Sequence, residues 1–308
     1  MSGDVATGTE ASILEPVLVR GVWGRVGGTL LMQLLGTSAE IAFDRNYPCE
    51  NRCLSNLLRY LEPLKGRAES PTGWWMDDPD RLWWVDPASF GFDVSGFPLG
   101  YANLGVDRDE LHKGAVLAVW QAFSKAAKQP DERLPRYYAE KYGGYADVLS
   151  TVGMPHRMID LVRDPRDVWA SVLAFDSKRG YYGFGRQDEQ SEDAYLASWL
   201  QAMRRRLDEM ARPLPGTPVT TVRYEDLVGD LATVAARLSG WLDVELDPVL
   251  AVANRDELGY HRTAANDDES IGRWHQDLSA AVSDRIEGEL GSHLDQLGYA
   301  RRSTQKVN

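Results

Sequence analysis

"PVLVRGVWGRVGGTLLMQLLG", Pro16 to Gly36, is the stretch whose reading decides the fold. Pro16–Trp23 is rich in valine and reads as a short strand. "GRVGGT", 24–29, breaks it with three glycines. Thr29–Gly36 reads as a short helix closed by glycine. Strand, glycine turn and helix in that order form the start of a parallel α/β sheet. The same arrangement binds phosphate, because successive backbone N–H groups and the helix N-terminus face one anion. Gly24, Gly27 and Gly28 allow close approach, Arg25 adds a fixed charge with a bidentate fork, and Thr29 offers a hydroxyl. Val26 and Leu30 complete the run of candidate cofactor-binding positions. The turn is not GxxxxGK[ST], because no lysine precedes the threonine, which disfavours a Mg·ATP or Mg·GTP site. Nor does the spacing of Gly21, Gly24 and Gly27 fit GxGxxG.

The pattern continues along the chain. Strands are expected at His156–Val162 and Thr217–Arg223, each followed by a helix, and one helix is expected across Tyr224–Leu242. Further helices are expected at Glu50–Leu64, Val106–Lys128, Glu192–Arg212 and Ser279–Leu297. Strands alternating with helices predict an α/β fold: a central, mainly parallel sheet flanked by helices on both faces. No linker divides the chain. One domain is expected over 15–300, with a disordered tail at 1–14 and a further tail at 301–308. Near 71–105 lies an irregular excursion holding Trp74, Trp75, Trp83 and Trp84, which reads as an acceptor wall or a local aromatic minicore.

The 308 residues are 43% hydrophobic and 26% charged, as in globular proteins, with a net charge of −12. An acidic surface repels nucleic acids and other polyanions, so any anion site must be local. Cys49 and Cys53 lie four apart on an expected helix and read as free thiols. No apolar run is long enough to span a bilayer, and the first residues do not read as a signal peptide. A cytoplasmic protein without membrane or nucleic-acid partners is expected.

A second anion corner stands at "RDPRDVWAS", 163–171. Arg163 ends a strand, where ligands of open α/β sheets bind, and Ser171 lies on the helix that follows. A guanidinium and a hydroxyl suit a second phosphate. Asp164 and Asp167 are expected to cap the helix and orient the arginines, and Arg166 to face solvent or pair locally.

In these residues the chain resembles the PAPS-dependent sulfotransferase family, which implies a three-layer P-loop-type form of that α/β fold. "GRVGGT" is similar to the family's loop for the 5′-phosphosulfate, and "RDPRDVWAS" to its 3′-phosphate segment. "VRYEDL", 222–227, looks like the segment whose tyrosine lines the adenine pocket, here Tyr224. "SIGRW", 270–274, looks like the late loop that closes over the nucleotide. The resemblance assigns Arg273 or Arg262 to the 3′-phosphate. Val26 and Gly28 stand where the family carries hydroxyls. "AEKYGG", 139–144, resembles the stretch ahead of the second signature: Lys141 matches its lysine, and Gly143 stands where some members have a catalytic histidine.

The resemblance implies transfer of a sulfuryl group from PAPS, as co-substrate, to a hydroxyl of a small molecule, releasing 3′,5′-ADP with no metal. Positioning and charge stabilisation dominate such transfer. Arg25 and Lys141 are the candidate catalytic cations. Glu50 is the first candidate for general base and Asp44 the second, with His112, His261 and His275 as outside candidates. The alternatives are a degenerate P-loop kinase or NTPase, and a non-catalytic nucleotide-binding member.

Overall fold

In the computed structural model, residues 13–61, 107–127, 134–144, 146–253, 263–264 and 268–302 are described. The tryptophan-rich excursion, His261 and Arg262 lie outside these residues.

Five strands form one sheet: β1 (Glu15–Gly21), β2 (Ile41–Phe43), β3 (Tyr137–Lys141), β4 (Arg157–Val162) and β5 (Val219–Arg223). Their order is β2-β3-β1-β4-β5. β2 pairs parallel to β3, with Ile41 opposite Tyr137, and β4 parallel to β5, with Met158 opposite Val219. Val17, Leu18 and Val19 are all buried, the both-faces burial of a parallel sheet covered by helices. β1 sits at the centre, where the connection order reverses. In open α/β sheets that reversal opens a crevice at the strand ends.

The chain divides into two compact units, and β1 runs through both: Met1–Val17 belongs to the first and Leu18–Ser38 to the second. The first unit also takes in Ala39–Asn46 and Glu50–His156. It holds β2, β3, α2 (Cys53–Leu61), α3 (Arg108–Ala126) and α4 (Ala146–Thr151). Asp107 caps α3 by accepting from the amides of Asp109 and Glu110, the role an aspartate fills best at a helix start. Leu14 closes the far side of this helix: its carbonyl accepts from Trp120 Nε1 at 2.9 Å, and its amide donates to Ser124 Oγ. This last residue of the expected tail is therefore anchored.

The second unit holds β4, β5 and the remaining helices: α1 (Gly28–Leu35), α5 (Pro165–Arg179), α6 (Glu192–Ala211), α7 (Tyr224–Gly229), α8 (Leu231–Leu242), α9 (Pro248–Ala253), α10 (Trp274–Asp277) and α11 (Ala280–Gln296). α11 packs on α5 and α6. Between α5 and α6, Trp169 stands 5.1 Å from Trp199 and 4.9 Å from Tyr195, centroid to centroid, all three buried. Each such aromatic contributes roughly 2–3 kcal/mol by leaving water.

Two expectations are corrected. Tyr224–Leu242 is two helices: Asp230, at φ −145° and ψ 68°, leaves the helical region, and its carboxylate caps a new start on the Thr233 amide. Cys49 and Cys53 do not share a helix. Cys49 has φ 61° and α2 begins only at Cys53, which removes the helical geometry; both are free thiols. Among the described residues no helix is long and apolar enough to cross a membrane.

Candidate active site

In the second unit β1 and β4 are neighbours, and Val22 N donates to Leu161 O at 3.1 Å. Below that point Arg20 grips Asp160 through two hydrogen bonds of 2.7 and 2.8 Å, both residues buried. Such a pair specifies which strands lie together more than it stabilises them. Its consequence is that the glycine turn after β1 and the Arg163 segment after β4 leave the sheet side by side.

The glycine turn is held in shape by close neighbours. Gly27 has φ 89° and ends in α1 with no side-chain cap, so the first-turn amides of α1 face outward uncapped by a side chain. A Cβ at Gly27 would come within 2.7 Å of the Tyr224 ring, and one at Gly24 within 2.4 Å of the Phe184 ring. Arg25 adopts φ 69°. Val26 and Leu30 are buried, so these positions offer only backbone outward. Thr29 Oγ1 donates to Pro48 O at 3.4 Å.

The arginine corner meets this turn. Arg163 is 3% exposed. It donates to Arg25 O at 2.7 Å and Ser270 O at 2.6 Å, and its Nε is buried without a hydrogen-bond partner among the described residues. Its guanidinium lies 4.0 Å over the Tyr224 ring, and the Tyr224 hydroxyl is 2.7 Å from Ser270 Oγ. Arg25 Nε donates to Ser171 Oγ at 3.2 Å, while Ser171 Oγ is 3.3 Å from Thr263 Oγ1 and Arg273 Nη1 donates to Thr263 at 2.8 Å. Arg25, Arg163, Ser171, Tyr224 and Arg273 thus form one cluster. Burial first, then the positive charge of Arg163, push the Arg25 guanidinium down to about 10. A site that disfavours its own cations is one that an anion relieves.

The aspartates divide their work differently from expectation. Asp164 caps α5 on the Arg166 amide. Arg166 pairs locally with it, as expected, but is buried instead of facing solvent: Glu287 and the Ala300 carbonyl also accept from it, and Trp274 covers its plane at 3.9 Å. Two carboxylates and a carbonyl replace the water it gives up. Asp167 does not cap α5, whose N-cap is Asp164. Its two oxygens accept from Gly272 N at 2.7 Å and Trp274 N at 3.0 Å, tying down the late loop. Burial, above all, raises its carboxyl to about 6. Sequence reasoning missed Thr263 and the Ser270 carbonyl. A lone hydroxyl and a main-chain oxygen carry no residue-type signal.

In the first unit Lys141 ends β3 and donates to Glu50 at 3.0 Å. Asp44 is occupied by its own turn, accepting from the amides of Asn46 and Asn51 and from the Asn46 side chain. Neighbouring Glu140 is buried and accepts from Leu54 N, Ser55 N, Ser55 Oγ and Tyr138 OH, fixing the start of α2 against β3. Its burial raises its carboxyl against these bonds. Gly143 lies on Ser55: a Cβ there would come within 2.3 Å of Ser55 Oγ. A side chain at that position would have to displace Ser55, so the packing here is built around glycine and not around a histidine. His112 is buried within α3, and His275 stacks on Trp274 at 3.7 Å.

The chain matches the model of the sulfotransferase family over residues 16–248. No curated protein matches it. Similar solved structures include the sulfotransferase domain from the curacin biosynthetic pathway, 17% identical over 94% of this chain and 100% of that one, at a TM-score of 0.45. The sulfotransferase domain from the Synechococcus PCC 7002 olefin synthase is 15% identical over 94% and 96%, at 0.44. Retinol dehydratase in complex with androsterone and inactive cofactor PAP is 14% identical over 94% and 83%, at 0.44. With the family model matched across most of its length, the chain belongs to the sulfotransferase family.

Proposed function

We propose that this chain transfers a sulfuryl group from PAPS to a hydroxyl of a small molecule, releasing 3′,5′-ADP, in the cytoplasm and without a metal. The observation that carries the reading is Arg163: a nearly fully buried guanidinium with an orphaned Nε–H, fixed beside Arg25 and Ser171. A buried donor without an acceptor costs about 1–3 kcal/mol, which a phosphate oxygen offsets.

On this reading Arg163, Ser171 and Arg273 hold the 3′-phosphate. The turn Gly24–Gly28, with the amides of Thr29 and Leu30, holds the 5′ end, and Tyr224 borders the adenine. PAPS supplies a sulfuryl group already activated on a phosphate oxygen. Arg25 neutralises the charge that grows on that oxygen as the sulfur–oxygen bond breaks. Lys141 is the second cation. Glu50 receives the acceptor's proton as the new oxygen–sulfur bond forms; Asp44 is engaged by three donors of its own turn, whereas Glu50 is half exposed and paired with Lys141. The acceptor is neutral or apolar, in keeping with a net charge of −12.

Calorimetry with 3′,5′-ADP and with 5′-AMP tests the grip, and transfer assays in EDTA test the chemistry. Preference for 3′,5′-ADP and sulfated product in EDTA are expected. ATP binding with strict magnesium dependence overturns the reading in favour of a kinase.

A further inference from the structure

We propose that Asp167 is the positioning residue for the nucleotide grip, acting through the late loop without touching the ligand. The inference rests on the reading of Arg163 and Arg273 given above.

The loop Ser270–Trp274 contributes to the grip at two points. The Ser270 carbonyl accepts one arm of Arg163, and Arg273 reaches Thr263 beside Ser171. Between these points the chain turns through Gly272 at φ 68°, a conformation without intrinsic preference for one geometry in glycine. Something must select it. Asp167 does so with both oxygens, accepting from Gly272 N and Trp274 N on either side of Arg273. It is anchored itself, since it lies in the first turn of α5, directly after the strand end that places Arg163. One carboxylate therefore sets the loop in register with the arginine it must aim. Asp167 is 1% exposed. A buried carboxylate given two main-chain donors is an expensive choice for a loop anchor, and a loop needing only to cover the core has cheaper anchors in Trp274 alone.

The position of the loop bears on the 3′-phosphate and not on the 5′ end, which the glycine turn holds. The test follows from that asymmetry. Affinities for 3′,5′-ADP and 5′-AMP are measured by calorimetry on the wild type and on Asp167→Asn. Hydrogen exchange at Gly272 and Trp274 is read in both. Asparagine keeps one acceptor and turns an N–H toward the other amide. The expected result is on the order of a tenfold loss for 3′,5′-ADP, an unchanged 5′-AMP affinity, and faster exchange at both amides. Equal losses for the two nucleotides, or no loss with the amides unprotected, overturn the inference. Should the variant fail to fold, the wild type decides. Exchange at the two amides slowed by 3′,5′-ADP and not by 5′-AMP supports it, by reciprocity of coupling; exchange indifferent to 3′,5′-ADP overturns it. A wild type that binds both nucleotides equally removes the functional reading itself, a different failure from an Asp167→Asn variant that discriminates between them as well as the wild type does.

Discussion

The guanidinium of Arg163 donates to the main-chain carbonyl of Arg25 at 2.7 Å, so the arginine of one strand end fixes the backbone of the other. Arg25 needs such support. Its φ of 69° is left-handed, costly for a residue with a Cβ. Arg163→Ala removes both the proposed phosphate donor and this brace, and is expected to weaken 3′,5′-ADP binding by about 2–3 kcal/mol. Arg163→Lys keeps the charge but not a planar fork able to reach two carbonyls, and restores less than half of that in calorimetry. Full recovery with lysine means that charge alone matters.

Gly143 and Ser55 are coupled by space. Gly143→Ala places a methyl 2.3 Å from Ser55 Oγ and is expected to destabilise the fold by about 1–3 kcal/mol, the range for overpacking. Ser55→Gly also destabilises, because Glu140 loses the hydroxyl that donates to it at 2.5 Å. The double variant is expected to be better than the sum of the two by at least ~1 kcal/mol in urea unfolding. Strict additivity would show that the glycine is not needed for room.

The proposed base, Glu50, and the turn carboxylate, Asp44, separate in their readouts. Glu50→Gln is expected to suppress turnover with its unfolding midpoint unmoved, because Glu50 is half exposed and its partner Lys141 lies at the rim of β3. Asp44→Asn is expected to lose about 1 kcal/mol of stability, since its carboxylate closes the turn to Asn51, with turnover largely kept. Lys141→Ala cuts turnover more than nucleotide affinity. Steady-state kinetics beside thermal melts distinguish these; turnover lost in Asp44→Asn and kept in Glu50→Gln reverses the assignment of the base.

How much was legible beforehand follows from what each feature depends on. The glycine turn and the Arg163 corner were readable because a strand end, a glycine and a charged residue announce themselves in one local stretch. The convergence of Arg25 with Ser171 was implied only by the family resemblance and not by any local pattern, since it depends on β1 and β4 being sheet neighbours. Pattern reading overlooked β2 and β3. β2 is only Ile41–Phe43, too short for a period, and β3 carries Glu140 in its buried run. That glutamate looks like a surface residue until the amides of α2 are seen to satisfy it. Arg166 misled for the same reason: its partner Glu287 lies far along the chain on α11.

Asp167 makes stability and loop order pull in opposite directions. Its carboxyl is raised to about 6 by burial, with the two loop amides and Arg163 pulling it down and Asp164 pushing it up. In the unfolded chain an aspartate titrates at about 3.9. Between those values the folded protein keeps a proton that the unfolded chain has released. The folded state binds more protons there, so stability falls as pH rises from about 4 to about 6, and above that window the cost is constant. Asp167→Asn has no such proton. The unfolding free energy of the wild type relative to this variant is therefore expected to decline across the window, by at most ~3 kcal/mol. Urea titrations from pH 4 to 7 measure it, and curves that stay parallel would falsify the raised carboxyl. The ionised form, which costs the fold most, is also the only form in which both oxygens accept from Gly272 and Trp274. The protein thus gives up stability at the pH where the loop is best held, as expected of a group kept for the site and not for the core.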